Sequence, residues 1–141
     1  MNNCKLRRLP DWQSRFGKWH EFAMRTPFEW GTWDCGIFCV TCLQAQTGIK
    51  VSDVTWDDAL TARRLYAKNG LIEIFSETLE GVWGLESLAI LKKAGDGFPC
   101  VLRPEKETIG GIVYHGKILA PAAIGAVSFN INYAVKIWGL N

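Results

Sequence analysis

The sequence predicts an α+β domain in which N-terminal helices pack on a small C-terminal antiparallel sheet or barrel. Three observations carry that expectation. Up to about residue 80, apolar residues recur at helical spacing. From about residue 93, short β-like runs alternate with turns. The chain has 141 residues, 48% hydrophobic and 21% charged, a composition that suits one domain with a buried core.

Each element has its own local reason. Pro10 and Asp11 mark the start of a first helix, in which Trp12, Phe16, Trp19, Phe22 and Ala23 form an apolar stripe. Pro27 marks its end by pushing Thr26 out of helical geometry. "EWGTW" is a loop, and a second helix runs from near Asp34 to about Gln46, with Gly48 as its C-terminal cap. A third helix is expected from the N-cap Thr55, through Asp57 and Asp58 in its first turn, to Gly70. "LIEIFSETLEG" reads as a short fourth helix. The strands are "FPCVL", "TIGGIVY", "KILAP", "AVSFNI" and "YAVKIWGL", and "YHGK" is a hairpin turn. Residues 1–141 make a single domain, without internal repeat or linker.

Composition excludes some functions. A formal net charge of +2 is too mild to argue for nucleic acid or a membrane surface. No stretch approaches the ~20 apolar residues of a membrane span, and no apolar run follows the basic N-terminal residues, so no signal peptide is expected. Five cysteines cannot all pair within one chain, and reduced thiols with synthesis in the cytosol are expected. Seven Trp are enough to serve both a core and a protein–protein interface.

The stretch "FEWGTWDCGIFCVTCLQAQTGIK" holds the residues that bear chemistry. Cys35, Cys39 and Cys42 fall at i, i+4 and i+7, on one face of the second helix. Three readings stand. Cys35 lies at the helix N-terminus, where free N–H groups and the helix dipole stabilise a thiolate nucleophile, and Gly36 leaves room beside it. Alternatively, C-x3-C-x2-C supplies metal or iron–sulfur ligands, with Cys100 or Cys4 as the fourth. The simplest reading is a core-facing stripe. Ile37, Phe38, Val40 and Leu43 make the helix apolar nearly all round, and free cysteine is among the most buried residue types. No cofactor or metal is expected on that reading.

"FEWGTWDCGIFCV", followed by "KKAGD", "GGIVYHGKILAP" and a closing aromatic strand, resembles the NlpC-like cell-wall cysteine peptidases, which have a compact papain-like fold. The chain is more similar still to a small group of phage proteins of unknown function encoded beside tail genes. The shared motifs are Leu9-Pro10-Asp11-Trp12, Pro27-Phe28-Glu29-Trp30-Gly31, Asp34-Cys35, Thr47-Gly48, Gly95-Asp96 and Trp138. The resemblance implies that Cys35 holds the nucleophile position. It implies that Ile109, in Ile109-Gly110-Gly111-Ile112, stands where the family has its catalytic His, and Leu119 where a third polar residue orients that His. His115 and His20 are the only imidazoles available as substitute bases; their plain readings are a turn residue and a helix-surface residue.

The function that the resemblance implies is a structural or assembly component of a phage tail tip or baseplate, with a degenerate peptidase-like fold. It would be made in the host cytoplasm and incorporated into the virion. Its partners would be other tail or baseplate proteins, met through aromatic anchors that include Trp12 and Trp138 near the chain ends. The rival is an active peptidoglycan endopeptidase using Cys35 during DNA entry. A third reading is a metal- or cluster-stabilised tail module.

Overall fold

The computed structural model describes residues 7–49, 71–89 and 93–140. The helix expected from Thr55 to Gly70 and the candidate ligand Cys4 lie outside the described residues. Within them the architecture is α+β: helices come first, and a six-stranded antiparallel sheet follows.

Helix α1 spans Trp12–Arg25 and buries Phe16, Trp19 and Ala23. It ends at Thr26, whose extended backbone (φ −98°, ψ 120°) is what the following Pro27 demands. Helix α2 spans Cys35–Thr47. Asp34 caps it through an Oδ1 that accepts from the Ile37 N–H at 3.0 Å, and Gly48 closes it in the left-handed conformation (φ 74°). The two helices are tied by Trp19 Nε1, which donates to Thr41 Oγ1 (3.0 Å), and by Arg15 Nε, which donates to the Ala45 carbonyl (2.6 Å). Helix α3, Leu71–Ser76, runs directly into a π-helical turn, Glu77–Val82, where the sequence suggested one continuous short helix.

The strands are β1 (Glu86–Ser87), β2 (Pro99–Leu102), β3 (Ile109–Tyr114), β4 (Lys117–Ala122), β5 (Gly125–Asn130) and β6 (Ala134–Gly139). Five match the expected runs; β1, only two residues long, carried no sequence signal. The β3–β4 hairpin turns on His115 (φ 48°) and Gly116 (φ 75°), the two positive φ values of a type I′ turn. The spatial order is β1-β6-β2-β3-β4-β5. Three strands therefore separate β5 from β6, about 19 Å across a flat sheet. Only Ile131–Tyr133 joins them, and the four steps from Asn130 to Ala134 reach ~14 Å even fully extended. The sheet must coil, swinging the end of β5 toward the start of β6.

Coiling gives the sheet two apolar faces. Val101, Ile112, Leu119 and Trp138 face the helices and join Phe38, Cys39, Leu43 and Phe75 in the main core. Cys100, Leu102, Val113, Ile118 and Ile137 face the other way and form a second core with Ile109 and Phe129 packed against it. The alternation along each strand is the period of two that a pleat imposes.

The π-helical turn is latched to β6. Glu80 Oε2 accepts from Trp138 Nε1 and Lys136 Nζ, both at 2.9 Å, and these bonds hold its carboxyl below the usual value of 4.5. A depressed folded pKa stabilises the fold above the ordinary carboxylate range, and that contribution is lost as pH falls through the folded value. Glu80 is 38% exposed, so the effect should stay under about 1 kcal/mol. Wild type should be more stable than Glu80→Gln at pH 7, and urea melts should show the difference shrinking as the solution is acidified. A difference that grows on acidification would contradict the latch.

Candidate functional site

Asp34 and Cys35 open α2, as the sequence indicated. Asp34 is fully buried, and its two carboxylate oxygens accept from the N–H groups of Ile37 and Gly31 (3.0 and 3.1 Å). A buried carboxylate is tolerated here because it faces the positive end of the helix. This bond and the Glu29–Trp33 bridge fix the preceding loop, and Phe28 N donates to the Ala122 carbonyl, which anchors that loop to β4. Cys35 is thus placed against the sheet, and it is 7% exposed.

What faces Cys35 differs from the sequence expectation. The β3 residue in front of it is Gly110: a Cβ there would lie 3.4 Å from Cys35 Cβ and 2.6 Å from Phe75 Cζ. Ile109, one residue earlier, belongs to the opposite face and packs in the second core. Leu119, paired with Ile112, is buried on the helix side. Gly110 therefore packs between the start of α2 and the buried ring of Phe75 from α3.

The two histidines are not brought to Cys35, which corrects their candidacy as bases. His115 stacks on Tyr114 (ring centroids 4.0 Å), and its side chain is 70% exposed beside Asp96, whose Oδ2 is 3.6 Å from His115 Nε2. His20 stacks on the same Tyr114 at 4.4 Å. Tyr114 lies four residues along β3 from Gly110, ~13 Å on a regular strand. A general base must reach its partner within ~3 Å or through one water.

The metal alternative is corrected as well. Cys35 and Cys42 are two turns apart, roughly 10 Å of helix rise, whereas Zn–S bonds are ~2.3 Å. Cys100 faces away from α2, in the second core. Among the described residues no group of three or more His, Cys, Asp or Glu could hold a metal ion. The sulfurs instead behave as packed hydrophobes. Cys39 Sγ donates to the Gly111 carbonyl (3.2 Å), and burial, reinforced by neighbouring Cys35, pushes its thiol well above the usual value. Burial raises Cys42 and Cys100 too. Iodoacetamide at pH 8 should leave Cys35, Cys39, Cys42 and Cys100 unmodified in native protein and alkylate all four in denaturant, as read by peptide mass mapping. Rapid native labelling of Cys35 would show an open thiol instead.

Trp138 is the remaining correction. It is fully buried between β6 and the helices, so it cannot anchor a partner. Trp12 is half-buried, with the Arg8 guanidinium 3.7 Å over its ring. Sequence reasoning missed Phe75, Glu80 and Gly110; only the Gly110-Gly111 doublet carried a signal, since glycine inside a strand marks close approach.

Fold and site together define an α+β domain whose cysteine helix is sealed onto its sheet. The chain belongs to the family described as a domain of unknown function (DUF6950), whose profile matches residues 7–140. No curated protein and no solved structure matches it.

Proposed function

We propose that this protein is an assembly component of a phage tail tip or baseplate, built on a papain-like fold of the NlpC type that has lost its catalytic apparatus. The observation that carries the loss of catalysis is a buried Cys35 against Gly110, with both histidines gathered at Tyr114 instead. The phage setting rests on the ordered motifs that run through the chain. No helix among the described residues is long and apolar enough to cross a membrane. With Trp138 buried, the partner surface falls to exposed apolar residues. Phe22 and Met24, near the end of α1, are 52% and 41% exposed, and Ile124 is 88% exposed. Met24 and Ile124 are neighbours, because Gly125 packs against the Met24 carbonyl.

Plaque and tail-assembly assays on two variants, with cell-wall digestion measured alongside, test this. Cys35→Ala should leave assembly and infectivity nearly intact. Ile124→Asp should impair assembly by tenfold or more while its melting temperature stays near wild type, since fully exposed positions rarely alter stability. If Cys35→Ala particles assemble but fail to infect, and only wild type releases cell-wall peptides, the protein is an endopeptidase.

A further inference from the structure

The two edges of the sheet are built differently. At one edge stands β1, only two residues long and carrying Glu86. At the other stands β5, six residues long, and among the described residues no strand pairs with its outer side. Sheets usually blunt a long edge with charge, proline or a bulge, because its free N–H and C=O groups invite another strand. β5 has none of these devices: its register with β4 is unbroken from Gly125 to Asn130, and residues 118–135 contain no charged residue in a chain that is 21% charged.

The ladders show which groups of β5 face outward. Val113 N donates to the Phe98 carbonyl, and the Val113 carbonyl accepts from Gly97 N, so Val113 turns its peptide groups away from β4. Its neighbours Ile112 and Tyr114 turn theirs toward β4, where they meet Leu119 and Lys117. The alternate β4 residues, Ile118 and Ala120, therefore face β5 and meet Phe129 and Val127. Pro121 falls in the set that faces β3, beyond the last β3–β4 pair, so its missing N–H costs the β4–β5 ladder nothing. What remains on the outer edge is the N–H and C=O of Ala126, Ser128 and Asn130. Ser128 and Asn130 are exposed.

We infer that a second copy of this chain adds to this edge, β5 against β5, antiparallel about a two-fold axis at Ser128. Each Ser128 N–H donates to the Ser128 carbonyl of the other copy, and each Ala126 lies opposite the other copy's Asn130. An axis normal to the sheet keeps the faces matched. Phe129 packs on the second core, and Val127 shares its face; both are half-buried, and each meets the other's counterpart, apolar against apolar. On the helix side the residues that meet are small or polar. A two-fold axis sets the residues at its centre against their own kind, so a charge there would repel itself. The uncharged stretch is what self-pairing requires. A strand from a different protein would impose no such neutrality.

Sedimentation of the purified full chain over a concentration series tests the pairing. Wild type should show a monomer–dimer equilibrium. Ser128→Pro removes both central inter-copy donors yet leaves the β4–β5 ladder whole, so it should weaken the dimer at least tenfold while the circular dichroism spectrum stays that of wild type. Ser128→Lys and Ser128→Glu should each weaken it at least about threefold, because like charges then meet at the axis. An equimolar mixture of these two variants should recover a dimer at least as tight as wild type, since opposite charges now face each other. Wild type that stays monomeric at every concentration overturns the proposal. So does a wild-type dimer that Ser128→Pro leaves intact, or a Lys–Glu mixture that associates no better than either variant alone.

Discussion

Trp138→Ala should lower the stability of the isolated protein by about 3–5 kcal/mol, the usual cost of deleting a large buried aromatic. For a chain of this size that is roughly 10–20 °C in melting temperature. Trp138 is fully buried and packs on Phe75 with ring centroids 6.1 Å apart. Its Nε1 also supplies one of the two strong bonds to Glu80, so truncation loosens the π-helical turn as well. Thermal and urea denaturation of the purified variant measure the effect. A melting temperature within a few degrees of wild type would mean that β6 does not sit between β1 and β2 with Trp138 in the core. Any assembly defect of this variant would then follow from unfolding, which is why the exposed Ile124 is the cleaner probe of partner binding.

Gly110→Ala should cost about 1–3 kcal/mol by overpacking. The new methyl would lie 2.6 Å from Phe75 Cζ, closer than real Cβ atoms approach, and 3.4 Å from Cys35 Cβ. The cost should be conditional. Phe75→Leu alone opens a small void and destabilises, but it also removes the ring edge that the methyl strikes. The double variant should therefore be more stable than the sum of the single effects by a substantial fraction of the Gly110→Ala penalty. Additive urea-unfolding free energies would place Phe75 elsewhere. The same pair reports on chemistry. If Phe75 is the cover over Cys35, then Phe75→Ala should speed alkylation of Cys35 by at least tenfold, and it should do so without producing cell-wall hydrolysis, because no imidazole stands nearby.

The local features of this fold were legible because they depend on neighbours in sequence. Asp34 caps α2, Gly48 closes it, Pro27 ends α1 and His115-Gly116 turn the β3–β4 hairpin, each by a mechanism that spans four residues or fewer. Assigning Ile109 to the catalytic face failed because a motif gives order, not facing: one residue of difference moves a side chain through the sheet. The two histidines illustrate the same limit. Nothing local joins His20 on α1 to His115 at a hairpin, yet both stack on Tyr114 once α1 crosses the sheet.

The sequence by itself determined the class, the order of helices before strands, the ends of α1 and α2, and the position of Cys35 at a helix start. These follow from periodicity, caps and turn residues, whose energies are local. Only the tertiary structure decided whether Cys35 is open or buried and whether Trp138 anchors a partner or the core. Those outcomes depend on strand order. Inserting β6 between β1 and β2 sends the last tryptophan inward, and packing α3 on the sheet brings Phe75 to Gly110. Strand order is set by the joint burial of apolar faces from residues tens of positions apart, a quantity that no short window of the sequence contains.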